Sequence, residues 1–201
     1  MTHASLLNAV TDRLAWSSSR AIRVASVLFI TVLTAAAAQV SIPLPFTPVP
    51  LTLQPMIVLL GAAALGSRLG LASQVLYLAA GVAGLPVFAA SPVLPHGVLR
   101  LLGPTGGFLL SYPLAAWVTG RLAERGFDRR YVTSVAAMAA GLAIIFAGGV
   151  STLTLQFAPA MGRDALSAAL AAGCYPFVAA DLIKLLIAAT ILPGVWKLIG
   201  R

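Results

Sequence analysis

Residues 175–192 read YPFVAADLIKLLIAATIL, an apolar run that is interrupted only by Asp181 and Lys184. A helix that crosses the core of a bilayer needs about 20 predominantly apolar residues. Residues three apart lie on the same face of a helix, so the two charged side chains point in the same direction. The run therefore predicts a membrane helix with an acid and a base on one side.

The rest of the chain has the composition of a membrane protein. Of its 201 residues, 60% are hydrophobic and 9% are charged, whereas about a quarter of a soluble domain is charged. We therefore predict an all-α membrane protein with six transmembrane helices, formed by residues 20–201. The five runs that precede the last one lie at about residues 24–40, 51–65, 69–84, 104–122 and 131–157.

Residues 1–19 precede the first apolar run and have mixed polarity. Leu6, Leu7, Val10 and Leu14 recur at helical spacing, which is typical of a short helix lying in the membrane interface. A cytoplasmic tail without fixed structure is the alternative. We expect this segment to be separate from the membrane domain.

The positions of the basic residues predict how the helices are oriented across the membrane, because cytoplasmic loops of membrane proteins are enriched in Lys and Arg. With both ends inside, the 13 Lys and Arg residues divide into ten on the inner side, two on the outer side (Arg100 and Arg163) and Lys184 within a helix. Loss of one helix breaks this alternation, which argues against a cleaved signal peptide in the first run. The net charge of +8 then reflects orientation, and nucleic-acid binding is excluded. The inner residues are Arg13, Arg20, Arg23, Arg68, Arg121, Arg125, Arg129, Arg130, Lys197 and Arg201.

The first and third outer connections are apolar and rich in proline or glycine. Residues 41–50 read SIPLPFTPVP, and each proline removes a backbone donor that is costly at membrane depth. This segment is either a stiff connector or a structured loop that lines a cavity. Residues 85–107 contain LPVFA and GPTGG, and a connection of this length often forms a functional lid. Within it, Thr105 either contacts a ligand or caps the fourth helix.

Charged residues inside a membrane segment usually mark a ligand or ion path, and a structural ion pair is the alternative. An Asp accepts hydrogen bonds and a Lys donates them, so the pair suits a small polar group that offers both donors and acceptors. Arg100 is either a partner for a carboxylate or a solvated loop residue. Polar side chains that add hydrogen bonds to such a site, or serve only packing, are Gln39, Gln54, Gln74, Tyr77 and Tyr175.

The sequence lacks the motifs that several kinds of catalytic, nucleotide-binding or metal-binding site require. The chain contains no phosphate-binding loop and no nucleophile elbow. His3 and His96 are not in metal-ligand spacing, and Cys174 has no second cysteine with which to form an intrachain disulfide. We therefore expect no enzymatic activity, no metal and no cofactor, and we expect a membrane binding or transport protein.

Four motifs in this order resemble the BioY family, the substrate-binding (S) components of energy-coupling-factor (ECF) biotin transporters. The resemblance extends from about residue 20 to residue 198. It implies six helices that bind one biotin near the outer face, under the first and third outer loops. The motifs are residues 42–54 (IPLPFTPVPLTLQ), 84–89 (GLPVFA), 103–109 (GPTGGFL) and 181–184 (DLIK).

The resemblance also implies site residues and partners. Asp181 and Lys184 match the family motif that serves the ureido ring of biotin. A transmembrane coupling subunit and two ATPase subunits are the expected partners in a bacterial plasma membrane, and Ala21 and Ala25 match the docking face on the first helix. The expected ligand-binding residues are Asp181, Lys184, Phe88, Thr105, Gly106, Gln54, Tyr175, Arg100 and Tyr77.

Two stretches differ from the pattern of the family. Residues 91–96, SPVLPH, replace a glycine-rich stretch, and Ala179 and Ala180 replace the Pro-Gly that often precedes the Asp. The alternative functions are an S component for another vitamin, a self-sufficient proton-coupled carrier that uses Asp181 and Lys184 as a relay, and a structural membrane protein without a ligand.

Overall fold

The computed structural model describes residues 5–13, 20–90 and 97–198, and these ranges are mostly helical, as predicted. Two short strands, β1 (Ser41–Ile42) and β2 (Leu51–Thr52), pair antiparallel, and two 3₁₀ turns occur at Phe127–Arg129 and Gly162–Asp164. The α-helices are α1 (Leu6–Arg13), α2 (Arg20–Gln39), α3 (Gln54–Leu65), α4 (Ser67–Val82), α5 (Leu99–Leu102), α6 (Gly106–Ala123), α7 (Tyr131–Met161), α8 (Ala165–Gly173) and α9 (Tyr175–Leu198).

Each of the six apolar runs contains a helix, namely α2, α3, α4, α6, α7 and α9 in chain order. α3 begins at Gln54 rather than Leu51, because Leu51 and Thr52 pair with the first strand. α7 continues to Met161, where Gly162 with a φ of 53° ends it. α8 follows where the sequence predicted only an outer connection.

Two helical stretches among the described residues, Arg20–Gln39 and Tyr131–Leu198, are long and apolar enough to cross a membrane. α3 is apolar but has only 12 residues, which is about 18 Å at the rise of an α-helix. α3 and α4 are joined through Gly66 alone, whose φ of 87° is accessible mainly to glycine. This single-residue turn reverses the chain between the two helices.

α6 lies at the centre of the helix packing and contacts α3, α4 and α7. A Cβ atom on Gly107 would collide with the backbone of Gly148, and one on Gly141 would collide with Thr119. Glycines at a helix interface allow two backbones to approach closely, which strengthens packing where no hydrophobic effect drives helix association. The small residues of these two helices therefore explain their close contact.

At the end of the bundle that lies away from β1 and β2, side-chain hydrogen bonds connect the helix termini to each other. The Glu124 carboxylate accepts hydrogen bonds from the Ser67 backbone N–H at 2.8 Å and the Ser67 hydroxyl at 2.9 Å, at the start of α4. The Trp196 indole donates to the buried Asp128 carboxylate at 2.6 Å. These contacts hold the start of α4 and the end of α9 against the loop after α6.

The predicted N-terminal segment contains α1, and residues 1–4 and 14–19 lie outside the described residues. Leu6 and Ala9 are buried against the hydrophobic core, and α1 contacts α3. Residues 6–13 are thus helical and pack on the bundle, and their placement in the membrane interface stays a prediction.

Candidate functional site

Asp181 and Lys184 lie on the inward face of α9, one turn apart, and form an ion pair. Asp181 is only 6% exposed. The Lys184 ammonium also donates a hydrogen bond to the Thr52 backbone carbonyl at 2.6 Å, which ties α9 to β2. A buried carboxylate and ammonium partly compensate the cost of removing each other from water, so the pair can be kept charged inside the fold.

The Asp181 carboxylate borders a cavity between α9, β2, α6 and α7. The cavity comprises about 570 Å³ when all the space between atoms, including the part open to solvent, is counted. Most of the wall is apolar, with a few polar side chains. The lining residues are Val49, Pro50, Leu51, Thr52, Gln54, Pro55, Ala89, Arg100, Thr105, Phe108, Leu109, Tyr112, Ile145, Phe146, Phe177 and Asp181.

Below the ion pair the packing is apolar. A smaller pocket also touches Asp181 and Lys184, and its remaining lining is Pro55, Met56, Leu59, Met138, Leu142, Leu185 and Ala188. The ion pair therefore forms the boundary between the polar end of the main cavity and an apolar region beneath it.

A chain of hydrogen bonds runs behind the cavity wall from α3 to the third outer connection. The Gln54 side-chain amide, which lines the cavity, donates to the Tyr77 hydroxyl at 2.7 Å. The Tyr77 hydroxyl donates in turn to the Val87 carbonyl at 3.1 Å. Tyr77 is completely buried and does not itself line the cavity. Its position indicates that it holds Gln54 and the backbone at Val87.

Residues 86–89, which we call the strap, run behind the cavity wall and reach it at Ala89, beside Arg100. The Phe88 ring packs edge-on against Tyr77 with ring centres 5.6 Å apart, and it occupies the space that a side chain at Gly81 would take. Ala89 lines the cavity, and its carbonyl accepts a hydrogen bond from the Arg100 guanidinium at 2.6 Å. The strap therefore contributes to the cavity wall at Ala89.

Arg100 brings a positive charge to the cavity at a position away from α9. Its side chain is 2% exposed, and its Nε atom has no hydrogen-bond partner among the described residues. Burial lowers the pKa of the guanidinium, yet an Arg side chain remains protonated in proteins. Arg100 can thus offer a charged donor to an anionic group.

Thr105 and Gly106 differ in what they contribute. Thr105 precedes α6, but its side chain makes no capping hydrogen bond, and its buried hydroxyl has no partner among the described residues. Gly106 does not line the cavity. A Cβ atom there would collide with the Leu101 carbonyl, so this glycine allows α5 to approach the start of α6.

The cavity contains four of the predicted ligand-binding residues, Gln54, Arg100, Thr105 and Asp181. Lys184, Tyr77, Phe88 and Gly106 support its wall from behind. Tyr175 was also predicted to contact the ligand, but it is 66% exposed and lies outside the cavity, because its position on α9 faces away from the bundle.

The predicted docking residues Ala21 and Ala25 are exposed, one turn apart on α2. Their small side chains therefore lie at the surface of the first half of α2, and we refer to the two positions as the strip. The strip is far along the chain from the strap and the cavity residues.

Aromatic side chains form part of the cavity wall, and the sequence patterns did not indicate this. Phe108 and Tyr112 of α6, Phe146 of α7 and Phe177 of α9 all line the cavity. In the sequence they resemble any apolar residue of a membrane helix, and only Phe108 belongs to a recognised motif, that of residues 103–109. Aromatic walls suit flat or apolar parts of a ligand. No group of three or more metal-binding side chains occurs in the part of the chain that the structure describes.

Comparisons of the sequence with curated proteins and with a family profile identify the family of the chain. A protein of Thermotoga maritima named biotin transporter BioY is 41% identical over 161 residues, which cover 80% of this chain and 88% of the relative. A probable biotin transporter BioY of Pyrococcus horikoshii is 35% identical over 82% of this chain and 90% of the relative.

A crystal structure of the S-component for biotin from an ECF-type ABC transporter superposes with a TM-score of 0.74. It covers 90% of this chain and 95% of that chain at 22% identity, so the two proteins share a fold. The sequence profile of the BioY family matches residues 9–201. The chain belongs to the BioY family.

Proposed function

We propose that this protein is the biotin-binding membrane subunit, or S component, of an ECF-type vitamin uptake transporter. The family and the names of its relatives support biotin as the ligand. The observation that carries the proposal is the Asp181–Lys184 pair at the edge of a cavity with aromatic walls. Such a subunit captures its ligand and performs no chemical reaction on it.

The chemistry of the cavity matches the parts of biotin. The ureido ring has two N–H donors, which suit the Asp181 carboxylate that lines the cavity. Lys184 lies behind the cavity wall and holds that carboxylate in place. The sulfur-containing ring and the aliphatic chain are apolar and suit Phe108, Phe146 and Phe177. The carboxylate at the end of the chain suits the Arg100 guanidinium.

The proposal also specifies the membrane spans of the chain and their orientation. The helices α2, α3, α4, α6, α7 and α9 form six membrane spans with both termini in the cytoplasm of a bacterial cell. The strap and the β1–β2 connection then face outward, and the cavity opens toward the outer side. Biotin enters from outside under these two connections.

Import requires energy that this chain does not supply. Partner subunits provide it: one transmembrane coupling subunit and two ATPases. The exposed pair Ala21 and Ala25 on α2 is the docking surface for the coupling subunit, because small residues permit close helix contact in lipid.

Titration of the purified protein with labelled biotin tests the proposal. We expect saturable binding of biotin, and no competition by thiamine or riboflavin. Asp181→Asn replaces an acceptor oxygen by an amide that faces the ureido N–H groups, so biotin affinity falls by more than roughly tenfold, as for loss of a charged hydrogen bond. Asp164→Asn is the matched control, because Asp164 is exposed in the turn after α7.

The outcomes separate the candidate functions. Unchanged affinity of Asp181→Asn removes Asp181 from the site. Preference for another vitamin contradicts biotin while keeping the transporter class. Uptake into vesicles that contain this chain alone, abolished by a protonophore, contradicts the requirement for ATPase partners.

A further inference from the structure

Four successive backbone carbonyls of the strap each accept a hydrogen bond from a side chain. The Tyr77 hydroxyl donates to Val87, and the Arg100 guanidinium donates to Ala89. The Gln39 amide nitrogen lies 3.4 Å from the Pro86 carbonyl and 3.3 Å from the Phe88 carbonyl. An irregular segment without strand partners normally satisfies these groups with water or side chains, and here side chains from three different elements hold it.

Gln39 differs from the other two donors in its location. Tyr77 and Arg100 are buried beside the cavity, whereas Gln39 is the last residue of α2 and is exposed. Its amide nitrogen is also 3.2 Å from the Ala35 carbonyl one turn earlier. Gln39 does not line the cavity, so any effect it has on a ligand is indirect, and its side chain reaches the cavity wall through the strap.

α2 is held to the rest of the bundle by polar contacts with α4. The Thr31 hydroxyl donates to the Ser73 carbonyl at 2.9 Å, and the Gln74 amide donates to the Thr34 hydroxyl at 3.4 Å. Much of the remaining α2 surface is exposed and apolar. Gln39 therefore connects the strap to a helix that has one side free for another protein.

We propose that Gln39 is a positioning residue that couples α2 to the strap and thereby slows release of the ligand. The inference rests on the proposed function. A change in the position of α2 pulls on Pro86 and Phe88 through the Gln39 amide, and Ala89 next to them forms part of the cavity wall. The helix that carries Ala21 and Ala25 thus also controls how firmly the cavity is closed.

The test is the dissociation rate of labelled biotin from the full-length protein in nanodiscs, chased with unlabelled biotin. Gln39→Met keeps the length and removes the donor, so dissociation is expected to accelerate about three- to tenfold, the range expected for one hydrogen bond. The association rate and the melting temperature stay close to those of the unaltered chain. Gln39→Glu also lacks a donor and serves as a second variant if the first is poorly folded.

Gln156→Met is the matched control. The Gln156 amide is also exposed and donates to a backbone carbonyl of the same connection, that of Leu102, at 3.1 Å. Leu102 does not line the cavity, so this variant is expected to leave the dissociation rate unchanged.

Three results overturn the inference. An unchanged dissociation rate in both Gln39 variants shows that the amide does not hold the strap. Equal acceleration in Gln156→Met shows general loosening of the outer connection. Failure of the unaltered chain to bind biotin contradicts the proposed function itself, and the inference falls with it.

Discussion

At the scale of single residues, two residues of the cavity wall have polar atoms without a partner among the described residues. The Thr105 hydroxyl and the Arg100 Nε atom are buried without a hydrogen bond to any described residue. Most buried polar groups in proteins are paired, and an unpaired one is costly. Both atoms belong to residues that line the same cavity, which is the arrangement expected of a site whose ligand completes the hydrogen bonding.

Thr105→Val tests this interpretation. Valine has nearly the same shape but no hydroxyl, so the variant should bind biotin about three- to tenfold more weakly, the effect of one lost hydrogen bond. Its melting temperature without ligand should not fall, because the hydroxyl has no partner to lose. Titration with labelled biotin and thermal unfolding measure the two effects.

Thr105→Ser is the control for the same position, because serine retains the hydroxyl and should retain most of the affinity. A fall in stability without any change in affinity would instead assign Thr105 a purely structural role at the start of α6.

At the scale of elements, α4 supports the site without lining it. Tyr77 on this helix holds both Gln54 and the strap. One turn later, Gly81 leaves the space that the Phe88 ring fills. The helix thus shapes the cavity through its contacts with α3 and the strap, and a small change on α4 should reach the ligand indirectly.

Gly81→Ala should displace the Phe88 ring, because the added Cβ atom would overlap with it. Overpacking of this kind costs about 1–3 kcal/mol, so we expect a lower melting temperature and roughly tenfold weaker biotin binding as the strap shifts. Thermal unfolding and biotin titration of the purified variant check both.

Gly194→Ala is the matched control on α9, where a Cβ atom would meet nothing within 4 Å. Alanine also has a higher helix propensity than glycine, so this variant should be as stable as the unaltered chain or more stable. Similar losses in both variants would contradict the specific role of Gly81.

At the scale of the whole molecule, the two ends of the helix bundle differ in character. One end has the strap, the paired strands and the cavity. The other end has most of the basic residues, together with the contacts of Glu124 with Ser67 and of Asp128 with Trp196. This difference between the two ends supports the proposed orientation. In that orientation the end with the cavity faces outward and opens to a ligand, and the end with the basic residues faces inward, stays closed and contacts the proposed partners.

The proposed orientation predicts which positions an impermeant maleimide reaches. With the native thiol removed by Cys174→Ser, Arg163→Cys should be labelled in intact cells, because this exposed residue follows α7 on the outer side. Arg125→Cys is equally exposed and should be labelled only after the membrane is permeabilised. Reversed labelling, or labelling of both in intact cells, would refute six spans with both ends inside.

If the coupling subunit docks on α2, a substitution at the docking surface should impair assembly with that subunit without impairing biotin binding. Ala25→Leu enlarges the exposed strip, so co-purification with the coupling subunit should be lost while biotin affinity stays within about twofold. This small effect is expected because the residue is remote from the cavity, and surface substitutions usually change stability by less than about 0.5 kcal/mol. Ala136→Leu, at an exposed alanine of α7, should retain both properties. Retained assembly in Ala25→Leu would place the docking surface elsewhere.

The helices and the charged pair could be predicted because they depend on local properties. Hydropathy is a sum over residues that are neighbours in the chain, so the six apolar runs are visible in the sequence alone. Each of these runs contains a helix. The three-residue spacing of Asp181 and Lys184 places them on one face of any α-helix. Prolines and glycines in residues 41–50 and 85–107 likewise predicted connections with unusual backbone structure.

The composition of the cavity depends on tertiary structure, because it requires the rotation of each helix about its own axis. That rotation separates Asp181, which faces the cavity, from Tyr175, which faces outward on the same helix. It also brings Phe146 and Phe177 together across α7 and α9 and hides Tyr77 behind Gln54. Contacts between residues far apart in the chain cannot be read from hydropathy or spacing. Local sequence was therefore enough for the helices and the charged pair, while packing between the helices selected the side chains that meet a ligand.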